Sequence, residues 1–90
     1  MEIKGKVYLV GEEVLVNPDF KKRVVIIETD EKYPQKIEIE FIQDKCDDLD
    51  ILAPNMPVTI HINLRGREYK DKKTGEPRFF NTIQGWKIEM

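Results

Sequence analysis

The sequence predicts an all-β domain with small α content: a five-stranded barrel in which one short helix separates the third strand from the fourth. Two observations carry that prediction. Apolar and charged residues alternate with period two in several separate runs, the side-chain repeat of a half-buried strand. Many of the apolar residues are β-branched Val and Ile, which suit a pleated surface.

The opening run EIKGKVYLVGEEVLV alternates through Ile3, Val7, Leu9, Val14 and Val16, with Gly5 and Gly11 where a long strand would bend. It reads as one strand, coiled or bulged near Gly11. Asn17-Pro18-Asp19 is a turn, because Pro presets φ and the Asn and Asp side chains bond nearby backbone. FKKRVVIIET, with four β-branched residues from Val24 to Ile27, is a second strand with at least one face buried. DEKYPQ interrupts it. KIEIEFI then alternates strictly, sending Ile37, Ile39 and Phe41 to one side.

From Gln43 to Leu52 the alternation stops, and Cys46, Leu49 and either Ile51 or Leu52 lie about three residues apart, the mark of a short helix. Pro54 and Pro57 close it. VTIHINLRGRE resumes alternation through Val58, Ile60, Ile62 and Leu64, YKDKKTGEPR is an exposed tip, and FFNTIQGWKIE is a fifth strand with a bulge at Gly85. The order β1-β2-β3-α-β4-β5 is that of the OB fold.

Ninety residues are one domain, 1–90, since so short a chain cannot be divided between two cores. Residues are 40% hydrophobic and 36% charged, with a formal net charge of −2, so any affinity for a polyanion must come from how charge is distributed. Distribution is uneven. Lys21, Lys22 and Arg23 are consecutive, and from Arg65 to Arg78 six basic residues face three acidic ones, whereas from Glu28 to Asp50 nine acids face three lysines. Cys46 is the single cysteine and His61 the single histidine, so no disulfide, zinc site or redox pair is expected and no cofactor or metal is implied. Cys46 reads as a small buried residue and His61 as an outward strand residue. No signal-peptide pattern or membrane-length apolar run is present, and the expectation is a cytoplasmic protein without a membrane partner.

LRGREYKDKKTGEPRFFNTIQGWKIE resembles the hairpin of strands four and five in bacterial and phage single-stranded DNA-binding proteins, through Gly66-Arg67, Tyr69, the polar tip and the aromatic returning strand. MEIKGK, KKR, TDEKYPQKIEIE and RFFNTIQGWKIE extend the likeness over nearly the whole chain, to a small bacterial and phage family catalogued as a domain of unknown function and related to OB-fold DNA-binding proteins. What the resemblance implies is non-sequence-specific binding of single-stranded DNA in replication, recombination or repair. Proteins of the common bacterial type carry a flexible acidic tail that recruits replication and repair enzymes. This chain stops at Met90, so recruitment through such a tail is not expected, and the acidic Glu28 to Asp50 stretch is offered as a hypothetical, partial substitute for it in meeting replication or recombination proteins.

Binding single strands needs cations to follow phosphates and flat rings on which bases stack. In an OB fold the site lies on strands two and three, framed by the loops joining strands one to two and four to five. The candidates are Lys21, Lys22, Arg23, Arg67, Lys70, Lys72, Lys73 and Arg78 for phosphates, and Tyr33, Tyr69 and Phe79 for bases, with Phe20 nearby. Phe80 and Trp86 are expected inside. Adjacent acids such as Asp47-Asp48 lack an accompanying base or oxyanion donors, so no catalytic residue is expected. A homodimer or larger assembly is expected, because one barrel covers few nucleotides. The choice of DNA or RNA is open, and the alternative is an OB module whose groove holds a protein.

Overall fold

The computed structural model describes residues 1–90. The elements are β1 (Glu2–Val10), β2 (Val14–Asn17), β3 (Phe20–Thr29), β4 (Lys36–Ile42), a 3₁₀ helix (Gln43–Ile51), β5 (Pro57–Lys70) and β6 (Pro77–Glu89). The protein is all-β with one short helix, and two expectations are corrected. The long first strand divides between Val10 and Val14 into β1 and β2. The helix is 3₁₀ rather than α: Cys46, Leu49 and Leu52 are all buried, and a repeat of three matches a turn that stacks residue i over i+3.

The strand pairings close into a ring. β1 lies antiparallel to both β3 and β5, β3 to β4, and β5 to β6, while β4 meets β6 in parallel through one bridge, Glu40–Gln84. β2 pairs with β3 alone and forms the edge of the sheet. Gly5 faces Thr29 on β3 and Val58 on β5, and a Cβ there would stand 2.1 Å from the Glu28 carbonyl oxygen. Only glycine lets β1 serve two neighbours at that corner.

The ring encloses Val7, Val25, Ile27, Ile39, Phe41, Val58, Ile60 and Ile62, with Leu49 and Leu52 covering one end. Alternation predicted most of these. It failed at Leu9, because the register jumps from Val7–Ile27 to Leu9–Ile26; the extra residue, Tyr8, inverts the facing of the residues after it. Leu9 is therefore 55% exposed, and Val10 packs on the core instead. Cys46 is buried as expected, its thiol pushed up by desolvation and directed at the Phe41 carbonyl.

Beyond Ile62 and Ile83, β5 and β6 leave the ring together as a two-stranded arm. Leu64, expected inside, is 62% exposed for that reason. The arm lengthens the molecule to 44 Å and raises the radius of gyration to 14.7 Å, against about 12 Å for a compact chain of this size. A second bulge lies where His61–Lys87 gives way to Ile62–Gly85, leaving Trp86 as the extra residue. Trp86 is consequently not interior: it is partly exposed, its ring 5.3 Å from that of His61, which lies between Glu2 and Glu89.

Candidate nucleic-acid interface

Facing residues in an antiparallel pair share a side of the sheet. In the arm, Arg65 faces Thr82, Arg67 faces Phe80 and Tyr69 faces Arg78, so one side carries three arginines and two aromatic rings and, within the strands, no acid. Tyr69 and Phe80 stack on each other, centroids 5.0 Å apart and planes 14° from parallel. The opposite side pairs Leu64 with Ile83 and Glu68 with Phe79. Phe79 is thus exposed but on the face away from the arginines.

The arginine side forms one wall of a groove of about 630 Å³; the other wall is Val16, Asn17 and Phe20 of the β2–β3 hairpin, and Lys22, Glu40 and Ile42 lie between them. Lys22, Arg65 and Arg67 supply positive charge there, and Glu40 is the single carboxylate. The hairpin wall is held by Gln43, whose Nε2 donates to the Asp19 carbonyl at 2.9 Å and whose Oε1 accepts from the Lys21 backbone N–H at 3.2 Å. Gln43 adopts a left-handed φ of 51° to do so, a conformation that costs a non-glycine residue energy and needs such bonds to persist. Gly75, at φ 74°, turns the arm's tip, and Asp71 organises it by accepting from the backbone N–H of Lys73 and Thr74 while pairing with Arg78 at 3.4 Å. Lys70, Lys72 and Lys73 project from that tip without ion-pair partners.

The eleven residues proposed from sequence separate into groups. Lys22 and Arg67 line the groove, Tyr69 and Arg78 extend the same side along the arm, Lys72 and Lys73 lie at its tip, and Lys70, paired with Pro77, shares the opposite side with Phe79. Lys21 and Arg23 do not join Lys22, because alternation along β3 turns them to the inward side with Val25. There Lys21 pairs with Glu13 at 3.2 Å, a contact that raises its amine above the usual value, with Asp47 adding to the effect. Arg23, its side chain 19% exposed, donates to the Gly11 carbonyl at 2.8 Å, to the Cys46 carbonyl and to Asp50 at 2.6 Å. It ties the β1–β2 junction to the 3₁₀ helix. Arg23→Ala should therefore lower stability by about 1–3 kcal/mol through the two carbonyls it leaves unpaired, the exposed Asp50 end being screened; a urea unfolding midpoint measures it.

Tyr33 lies in the loop between β3 and β4, 77% exposed, beside Lys32. That loop follows Thr29, about 20 Å along β3 from Lys22 at strand spacing, so Tyr33 is not brought to the groove. The groove residues not assigned to the site from sequence include Arg65, Glu40, Gln84 and Phe80, the last assigned to the interior but 49% exposed. Strand parity was the available signal: Arg65 shares the facing of Arg67 on β5, and Phe80 that of Arg78 on β6.

A second cavity, about 550 Å³, lies at the opposite end, among Lys4, Lys6, Glu28, Asp30, Glu31 and Glu89. Its four acids against two lysines do not suit a polyanion. No helix is long and apolar enough to cross a membrane.

Among known proteins, no curated protein matches the chain. The family model described as Domain of unknown function (DUF3127) matches residues 2–89, which takes in every strand of the ring and both walls of the groove. The chain belongs to the DUF3127 family.

Proposed function

We propose that this protein is an OB-fold single-stranded DNA-binding protein without strict sequence specificity, acting in replication, recombination or repair in the cytoplasm, and that it does no chemistry on the strand. The observation that carries the reading is the groove itself, with three cations on or between its walls and a Tyr69–Phe80 stack on its rim. Support for the fold assignment comes from the closed pairing order β1-β3-β4-β6-β5-β1, with its one parallel contact, which is the order expected of that barrel. Phosphates run along Lys22, Arg65 and Arg67, and bases stack on the exposed rings.

The test is fluorescence polarisation with labelled oligo-dT, duplex and RNA at several salt concentrations. Three phosphate contacts give a log–log salt slope of about −2 on single strands, at about −0.7 per contact. A protein-binding groove, the alternative, shows no oligonucleotide binding of this kind. Phe80→Ala should weaken oligo-dT binding about tenfold, since one stacked base is worth about 1–3 kcal/mol, while leaving the salt slope unchanged.

The reading includes self-association. β2 offers an unpaired strand edge on which Val14, Leu15 and Val16 are each more than half exposed, and open apolar edges pair with other chains. Light scattering should give a mass that rises with concentration, and a strict monomer at all concentrations removes this part of the reading.

A further inference from the structure

A groove built only to follow phosphates has no use for an acid, because a carboxylate repels the polymer. Glu40 nevertheless sits on the floor between the arginine wall and the β2–β3 hairpin, its side chain 23% exposed and Lys22 Nζ 4.0 Å away. Across the single β4–β6 bridge lies Gln84. Its Oε1 accepts from Arg65 Nε at 2.9 Å. A guanidinium has no acceptor, so it fixes the amide with oxygen toward Arg65. The NH₂ of Gln84 is left free to donate in the groove beside an acceptor-only carboxylate.

We propose that Glu40 and Gln84 form a base-reading pair that gives the groove a preference for guanine at one position of a bound strand. The inference rests on the groove being a single-strand site. Guanine presents two adjacent donors, N1–H and the N2 amine, to the two oxygens of Glu40, with O6 next to them as an acceptor for the Gln84 NH₂. Adenine and cytosine offer one exocyclic amine. Thymine places its lone N3–H between two carbonyls, so the second carboxylate oxygen meets an acceptor. The acid thus becomes favourable only when a base edge, and not a phosphate, faces the floor, which sets the strand with its backbone on the walls.

The experiment is competition against labelled dT12 by unlabelled dT12 carrying one central guanine, inosine or thymine. Guanine should bind about tenfold tighter than thymine, the discrimination of one good bidentate contact, and inosine, which lacks the N2 amine, should fall between them. Glu40→Gln should collapse the guanine-to-thymine ratio toward one and raise affinity for dT12, because a repulsive charge is gone. The inosine series needs only the wild-type protein, so it stands whether or not the variant folds. Equal competition by guanine and thymine, with dT12 bound, overturns the base-reading pair and leaves the groove standing. A preference that survives Glu40→Gln overturns the assignment to this residue. If dT12 itself fails to bind, the single-strand site falls and the base-reading pair falls with it.

Discussion

Replacing Arg65 and Arg67 together by glutamate should reduce affinity for oligo-dT by on the order of a hundredfold or more at low salt, since each lost bond to a charged group is worth about 1.5–3 kcal/mol. The salt slope should fall at the same time by about 1.4, two phosphates at about 0.7 each. Both side chains lie on the arm's cationic side, away from the core cluster, so unfolding should shift by no more than about 0.5 kcal/mol per site. Loss of binding without loss of fold is the expected signature. Lys32→Glu, in the β3–β4 loop beside Tyr33, changes the total charge by the same amount per residue and should leave binding nearly intact. Equal effects from Lys32 and the arginines would mean that net charge, rather than the groove, governs the interaction, and the proposed function would be lost.

The second large effect is on stability. Gly85 faces Ile62 in the ring, and a Cβ added to it would stand 2.4 Å from Phe41 Cζ, with the two Cε atoms also within 2.9 Å. Phe41 is fully buried and cannot swing away, so Gly85→Ala should cost about 1–3 kcal/mol by overpacking, or more if β6 is forced off β4. At about 4–8 °C per kcal/mol for a domain of this size, the melting temperature reads it directly. Phe41→Leu alone leaves a cavity and also destabilises. Combined with Gly85→Ala it should relieve the clash, giving a favourable coupling of about 0.5–3 kcal/mol. Additive losses would show that the ring tip and the glycine do not constrain each other. Glu40 and Gln84, which bridge the strands, are the sequence neighbours of Phe41 and Gly85, so the same steric contact sets the floor of the groove. Gly85→Ala should accordingly blunt any base preference even where the protein remains folded.

Much of the architecture could be read along the chain. KIEIEFI sends Ile39 and Phe41 inward as its alternation requires, and Cys46, Leu49 and Leu52 mark the helix by their spacing. The arm's cations and rings were visible as composition, and Arg67, Tyr69 and Arg78 do lie together on one side. Lys21 and Arg23 were misplaced by treating KKR as a cluster. Adjacent residues on a strand face opposite ways, and only Lys22 turns to the groove. Leu9, Phe80 and Trp86 were misassigned for related reasons. A bulge beside Leu9 and another at Trp86 invert the facing locally, and Phe80 belongs to a stretch of strand that has already left the ring.

Sequence by itself determined most of the strand residues, the apolar face of each strand away from the bulges and the arm, and that charge gathers on the last hairpin, because each of these is a repeat or a local sum over a few neighbouring positions. Tertiary structure alone decided the pairing register, which residue each bulge leaves unpaired, where β5 and β6 part from the core, and that Glu40 lies beside Gln84. Those depend on contacts between segments far apart in the chain, where the closure of the ring and the fit of Phe41 against Gly85 fix positions that no local repeat encodes.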